Sequence, residues 1–355
     1  MFLSEHENTT EWLQRPQEMG RRAILKLSVI GLGKMGLLHA GIVNSFPDVR
    51  VASVCERDLF LSTAAKGFLP KSIVVYRNVE KMISEQKPDA VFVTTPIDDH
   101  APIVIDLLRQ QADLSIFVEK PLAASYRQAK EVCEASKNSR GVNMVGFQRR
   151  YSPTFRKGSK LLSENAIGEP IFFKASMLSS DVLREGSGWR SKKTSGGVLL
   201  DSAPHLLDTL IWFFGEPKSL KATKKRIYSR AVEDYVHAVF SYDSGLQGHM
   251  DVCWSLAGYR LPEVSVQIYG QTGMLTVCDD FVKVTSNKQM GVGSGKPMYK
   301  QSFNVSTPFL LTDPEYALED AAFIESVRTR QAPDTSFVQA AKVNDLIDRI
   351  LEHTA

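Results

Sequence analysis

Between residues 24 and 146, short and wholly apolar runs alternate with stretches in which apolar positions recur at helical spacing. The apolar runs fall at 27–30, 49–54, 72–75, 90–94, 115–118 and 143–145, and the helical patterns at 35–45, 59–66, 79–85, 101–110 and 126–136. Strands with no polar alternation need cover on both faces, so this rhythm predicts an α/β domain, a doubly wound parallel sheet ending at residue 146. Beyond it the rhythm changes. A helix at 153–162 and a strand at 169–177 precede a polar, glycine-containing loop (179–197) and a helix from about 202 to 214. Strands with turn residues between them follow at 220–228, 235–241, 246–254, 263–269 and 274–277, which predicts an α+β domain with a largely antiparallel open sheet. The Gly- and Ser-rich stretch 283–308 reads as a loop or weak hairpin. Two helical stretches, 314–330 and 337–351, close the chain, and the pattern leaves the terminal helix free to pack back on the first domain.

The first apolar run feeds directly into Gly31-Leu-Gly33-Lys34-Met35-Gly36, and a helical pattern follows at once. Each glycine has a separate mechanical reason: Gly31 for a tight strand-to-helix turn, Gly33 for close approach of backbone to a pyrophosphate, Gly36 for close packing of helix on strand. Phosphate charge then sits at a helix N-terminus, where unpaired N–H groups and the helix dipole favour it. The second run ends at Cys55-Glu56, which places a carboxylate where a Rossmann unit accepts hydrogen bonds from the adenosine ribose. Glu56 would repel a 2′-phosphate and so favours NAD. Arg57 follows directly and would clamp that phosphate, which keeps NADP open. Lys34 serves the phosphates of either cofactor.

Composition narrows the class without choosing it. The chain has 355 residues, 43% hydrophobic and 23% charged, with a formal charge of +3, so no global field points to nucleic acid or to an anionic membrane. Four scattered cysteines, Cys55, Cys133, Cys253 and Cys278, form no CxxC pair, and the seven histidines no HExxH pair, which argues against a disulfide framework and a zinc centre. No metal is expected. Residues 1–23 are polar and charged and read as an extension with no signal-peptide core, so a cytoplasmic protein is expected.

Two further clusters carry chemistry. The fourth run ends in Thr94-Thr95-Pro96 with His100 soon after, and the fifth in Glu119-Lys120-Pro121, both where ligands bind an open α/β sheet. A lysine at such a strand end can hydrogen-bond a substrate oxygen, although most lysines only solvate a surface. Later, Ser195-Gly-Gly-Val-Leu-Leu-Asp201-Ser-Ala-Pro-His205 enters an apolar helix, with Asp201 expected at or near the N-cap and Pro204 in the first turn. Asp201 and His205 stand four apart, which suits either an acid/base pair or a capping Asp beside a core His.

In these motifs the chain resembles the glucose–fructose oxidoreductase and inositol dehydrogenase (Gfo/Idh/MocA) family over nearly all of residues 24–355. GLGKMGLLHA (31–40), TTPIDDH (94–100), EKP (119–121), GFQRRYSP (146–153) and GGVLLDSAPHLLD (196–208) occur in order. The resemblance implies a dinucleotide-binding Rossmann domain at 24–146 and a substrate-binding and oligomerisation domain at 147–355. It also implies that Lys120, Asp201 and His205 converge at the nicotinamide ring, where His is general base, Lys holds the reacting oxygen and Asp orients its partners. Ala203 stands where the family pattern usually has Gly, and Pro204 is uncommon beside the histidine.

The expected activity is NAD(P)-dependent oxidation of a secondary alcohol of a sugar, polyol, sugar acid or nucleotide sugar. The competing functions are an NAD-dependent glycosidase that works by transient C3 oxidation and a non-catalytic dinucleotide sensor. Arg149 and Tyr151, with Arg150 beside them, lie in the segment that borders the sugar site in related enzymes. Arg184, Trp189, Arg190, Lys192 and Lys193 precede the helix that bears His205. An Arg-rich rim with a Trp would suit a charged sugar, and a solvated loop reads equally well. Relatives often assemble through the exposed face of the second sheet, so a homodimer or homotetramer is expected.

Overall fold

The computed structural model describes residues 23–186, 190, 196–259, 261–286, 290–294 and 314–353. The chain divides into two compact units. Among the described residues the first comprises 23–147 and 314–341, the second 148–294 and 342–353. Residues 314–341, which periodicity left unassigned, thus group with the first unit.

In the first unit β1 (Leu25–Ile30), α1 (Lys34–Val43), β2 (Val49–Cys55), α2 (Leu59–Phe68), β3 (Val74–Tyr76), α3 (Val79–Gln86), β4 (Ala90–Val93), α4 (Ile97–Gln110), β5 (Ser115–Glu119), α5 (Tyr126–Ser136) and β6 (Asn143–Gly146) alternate. The sheet order is β3-β2-β1-β4-β5-β6 and every pairing is parallel. This is the Rossmann order, which reverses between β1 and β4. β4 and β5 are buried at every position, as continuous apolar runs require when helices cover both faces. Helix capping is unequal in a useful way. Asp58, Asn78 and Ser125 accept first-turn N–H groups of α2, α3 and α5, whereas α1 and α4, which follow β1 and β4, have no side-chain cap. The uncapped helix starts are therefore those at the reversal point.

The second unit opens with a 3-10 turn (Gln148–Tyr151), α6 (Pro153–Ser163) and β7 (Pro170–Leu178), and continues with α7 (Gly197–Asp201) and α8 (Ala203–Phe214). Seven strands follow: β8 (Ser219–Lys225), β9 (Tyr235–Ser241), β10 (Gln247–Cys253), β11 (Glu263–Gly270), β12 (Gly273–Cys278), β13 (Phe281–Ser286) and β14 (Met290–Ser294). They join β7 in an eight-stranded sheet of order β14-β13-β12-β11-β7-β10-β9-β8, antiparallel except for β7 with β10. Of the loop or weak hairpin expected over 283–308, the described residues form the β13–β14 pair, and 287–289 and 295–308 lie outside the described residues. Along β11, Val264, Val266 and Ile268 are buried while their neighbours face outward, the period-two pattern of a sheet with one covered face.

Among the described residues that remain are two helices, α9 (Pro314–Thr329) in the first unit and α10 (Phe337–Glu352), whose residues from 342 onward belong to the second. α9 seats Phe323 on Phe92 and Phe117, with ring centroids 5.3 and 5.6 Å apart, and pairs Arg328 with Asp48. Among the described residues no helix is long and apolar enough to cross a membrane.

Asp234, at the head of β9, is fully buried and acts as a polar anchor of the second unit. Its Oδ2 accepts the N–H groups of Ile227, Tyr228 and Ser229, and its Oδ1 accepts the Ser229 hydroxyl and Trp254 Nε1–H. Burial alone would raise this carboxyl, but those donors hold it below the usual carboxylate range. Asp234→Ala should cost roughly 3–5 kcal/mol in chemical denaturation, because several buried donors lose their acceptor together.

Candidate functional site

The glycine turn is built as the sequence requires. Gly31 has φ +94°, and a Cβ there would stand 2.9 Å from the Thr94 carbonyl oxygen. A Cβ on Gly36 would come within 1.9 Å of the Gly31 oxygen. Among the described residues a Cβ at Gly33 would meet nothing within 4 Å, so open space lies where a phosphate would approach the backbone. The first-turn N–H groups of α1 have no intrahelical acceptors, and no acidic residue occupies that turn. Lys34 is exposed and Met35 half-buried at the same helix start. The donor set and the open cradle fit a dinucleotide pyrophosphate.

Glu56 sits just past β2 and is buried. Its Oε2 accepts the Leu32 N–H at 2.8 Å and its Oε1 the Asp58 N–H at 2.9 Å, so the carboxylate also fixes the glycine turn. Each oxygen keeps a second lone pair for a ribose hydroxyl. Arg57 is exposed and pairs with Asp99 in the first turn of α4 at 3.0 Å. Burial and the neighbouring Glu56 push the Cys55 thiol up to about 11, which removes it as a nucleophile.

At the ends of β4 and β5 the predicted residues fall into braces and one reactive group. The Thr94 hydroxyl donates to the carbonyls of Ile30 and Gly31, Thr95 is half-buried beside it, and Pro96 starts α4. His100 is buried with both ring nitrogens within 2.9 Å of backbone oxygens, those of Pro121 and Thr95, so it ties two loops together. Burial lowers its pKa. Glu119 is buried and accepts the Lys120 N–H through Oε2 at 3.0 Å. Lys120 itself is half-buried, with a cis peptide bond to Pro121.

In the second unit the helix expected from about 202 is α8, but its N-cap is Ser202, and Asp201, expected at or near that cap, does not cap it. Gly196 and Gly197 take φ of +72° and +80°, which lets the chain enter helix at Gly197, and Asp201 is the last residue of α7. Glu233 supplies what a cap would: its carboxylate accepts the Leu199 N–H and its carbonyl the Val198 N–H, both at 3.1 Å. The φ of +80° favours glycine at Gly197, and a Cβ there would lie 2.1 Å from Glu233 Oε1 and displace the carboxylate that holds the Leu199 N–H. Asp201 instead accepts from Arg190 Nε at 3.0 Å. Ser202 breaks the helix and α8 restarts with Pro204 in its first turn and His205 buried one residue on.

Three of the arginines expected at a sugar site face carboxylates. Arg149 contacts Asp279 at 3.2 and 3.4 Å, Arg150 forms a bidentate pair with Asp208 at 2.8 Å, and Arg190 bridges Asp201 and Asp181. Tyr151 is buried with the Arg156 guanidinium over its ring. Trp189, Lys192 and Lys193 lie outside the described residues, and Arg184 is exposed.

Sequence reasoning missed the buried polar groups that hold these residues. His39 on α1 contacts Glu119 and Asp320, while Glu319, also buried, has no hydrogen-bond partner for either oxygen among the described residues. The signal for His39 was a histidine on a core-facing position three residues past Gly36, since a buried imidazole needs partners. Burial holds the Glu319 carboxyl well above its usual range, helped by the charge of Glu119. Its folded form therefore binds a proton that the unfolded chain releases, and stability falls as pH rises above the unfolded carboxylate range. Glu319→Gln should flatten that fall, giving a higher melting temperature than wild type at pH 8 and little change at pH 5.

A six-stranded Rossmann sheet with a glycine turn open to a pyrophosphate defines a dinucleotide-binding protein, and the comparisons name the family. Residues 25–147 match the family model described as oxidoreductase family, NAD-binding Rossmann fold, and residues 155–276 match the GFO/IDH/MocA C-terminal domain, together well over half of the chain. The chain belongs to the Gfo/Idh/MocA family of oxidoreductases. It is similar to scyllo-inositol 2-dehydrogenase (NAD(+)) of Bacillus subtilis (strain 168), 26% identical over 327 residues that cover 89% of this chain and 90% of the relative. It is 28% identical over 259 residues to inositol 2-dehydrogenase/D-chiro-inositol 3-dehydrogenase of Lacticaseibacillus casei, covering 71% and 72%. Among solved structures, levoglucosan dehydrogenase in complex with NADH and L-sorbose superposes with a TM-score of 0.82 at 22% identity over 94% of this chain and 97% of that one, a likeness of fold.

Proposed function

We propose that this chain is an NAD-dependent oxidoreductase that oxidises a secondary alcohol of a sugar or polyol, with Lys120, Asp201 and His205 as its chemical groups. The observation that carries the reading is the cradle: an uncapped α1 start, open space at Gly33, and the Glu56 carboxylate tied to the same turn. When bound, a nicotinamide supplies a hydride acceptor. The His205 imidazole takes the hydroxyl proton, and the Lys120 ammonium donates to the oxygen on which charge develops. Asp201, held by Arg190, orients its neighbours.

NAD is favoured over NADP, because Glu56 is a buried anion at the ribose position and Arg57 is engaged with Asp99. Glu56→Gln keeps an acceptor for the Leu32 N–H and removes the charge, so the NAD/NADP ratio of kcat/KM should fall about tenfold, mainly through a gain with NADP. Uncharged sugars are favoured over sugar acids and nucleotide sugars, because Arg149, Arg150 and Arg190 are each balanced by a carboxylate. We assign the outward face of the second sheet, where Phe172 stacks on Tyr269 and Val239 is exposed two strands away on β9, to contact between copies in a homodimer or homotetramer, and the protein to the cytoplasm.

A panel of inositols, neutral aldoses, uronic acids and nucleotide sugars, followed by absorbance of the reduced nicotinamide, tests the activity. Net NADH formation with a neutral polyol is expected. Sugar release with no net cofactor change would replace the dehydrogenase by a glycosidase, and light scattering reads the assembly.

A further inference from the structure

His39 lies in the second turn of α1, is fully buried, and takes no part in the phosphate cradle. Its Nδ1 stands 2.7 Å from Asp320 Oδ1 and its Nε2 2.8 Å from Glu119 Oε1, with the rings of Phe92, Phe117 and Tyr316 packed around it. Ligand atoms of His39, Glu319 and Asp320 lie within 4.8 Å of one another, a spacing a divalent cation could use. The hydrogen-bond lengths point elsewhere. A ring nitrogen that donates its N–H to a carboxylate has no lone pair for a metal, and both contacts are met together by an imidazolium that donates at each end. Burial alone would drive this ring towards neutrality, but the charges and hydrogen bonds of Asp320 and Glu119 hold its pKa well above the usual histidine value.

Glu119 is the middle of a chain of contacts. Its Oε1 meets His39 and its Oε2 accepts the backbone N–H of Lys120. We infer that His39 is a positioning residue for Lys120: braced by Asp320 of α9, its imidazolium orients Glu119 so that the second carboxylate oxygen fixes the lysine's peptide at the end of β5. The inference rests on the reading of Lys120 as the group that touches the reacting alcohol. It ties the helix of the phosphate cradle to the strand end that presents the lysine, and it gives a segment more than 200 residues away in sequence a part in the site.

Glu119 is buried, and burial would raise its carboxyl, yet His39 and Lys120 hold it below the usual range. The charged and titratable groups around the pair are Glu119 and Lys120 from β5, Glu315, Tyr316, Glu319 and Asp320 from α9, and His100 from α4. Removal of the imidazolium leaves burial opposed by Lys120 alone, so Glu119 takes up a proton at higher pH and becomes a weaker acceptor for the Lys120 N–H.

Three measurements on the full chain test this. In the wild-type protein, nitrogen NMR of labelled histidine should show His39 as an imidazolium with both N–H groups at pH 8; a neutral tautomer there would overturn the proposal. By hydrogen exchange with NADH bound, the Lys120 amide should exchange at least tenfold faster in His39→Gln than in wild type. That difference should shrink as pH rises and be absent between Glu119→Gln and the His39→Gln/Glu119→Gln double variant, and equal protection in wild type and His39→Gln would sink it. In the assay, His39→Gln should lower kcat at least tenfold with the KM for NAD within twofold, and kcat should recover towards high pH. Wild-type kcat and pH profile in His39→Gln, beside an inactive Lys120→Ala, would defeat the positioning role alone. An active Lys120→Ala would instead defeat the reading of the site. Should His39→Gln fail to fold, Asp320→Asn takes its place in both assays and the wild-type NMR measurement stands unaffected.

Discussion

Lys120→Ala should lower kcat roughly 10³-fold, about 4 kcal/mol of transition-state stabilisation, while the Kd for NADH stays within threefold of wild type. The separation follows from position. Lys120 stands at the end of β5, whereas the phosphate cradle is made by backbone of the β1–α1 turn and the ribose carboxylate by Glu56 after β2. Glu119, Thr94 and His100 brace the strand ends through their own contacts and do not need the lysine ammonium to do so. Fluorescence titration of NADH and steady-state kinetics on the same preparation measure the two quantities. A variant with more than a tenth of wild-type kcat would remove Lys120 from the chemistry, and a large loss of NADH affinity would make it a cofactor ligand instead.

The parallel sheet was legible because burial on both faces imposes continuous apolar runs, and β4 and β5 are buried throughout. The glycine turn was legible for a different reason: Gly31 and Gly36 occupy places where a side chain would meet backbone, so residue type alone records the geometry. The second sheet was readable from period-two alternation, as in β11. What periodicity cannot carry is the pairing of distant polar groups. Asp320 lies 281 residues from His39, and nothing local distinguishes it from any acid on a helix. The same blindness misplaced Asp201. The expected helix start is there, since α8 begins at Ala203, but Asp201 does not cap it: it closes a short preceding helix, α7, whose first N–H groups are held by Glu233 from the head of β9. The charge of the arginine segments was equally visible, and its neutralisation by Asp208, Asp279 and Asp201 was not.

Two valine substitutions in one turn should give opposite outcomes for stability and the same outcome for cofactor. Gly33→Val places its side chain in open space, at a backbone of φ −65° and ψ −173° that any L-residue adopts, so unfolding should change by no more than about 1 kcal/mol, the loss of a favourable residue at a helix start. That open space is where pyrophosphate oxygens approach the α1 N–H groups, so the Kd for NADH should rise at least 100-fold, equivalent to about 2.7 kcal/mol. Gly36→Val meets backbone instead: its Cβ would lie 1.9 Å from the Gly31 oxygen and 2.8 Å from Thr94 Oγ1, and neither belongs to a flexible chain end. The helix must move off the strand, at a cost of roughly 3 kcal/mol or more, and the cradle is lost with it. Chemical denaturation and NADH titration of both variants decide the matter. If Gly33→Val binds NADH as wild type does, the turn is a structural feature and holds no pyrophosphate; if it unfolds as readily as Gly36→Val, the space beside residue 33 is not open in solution.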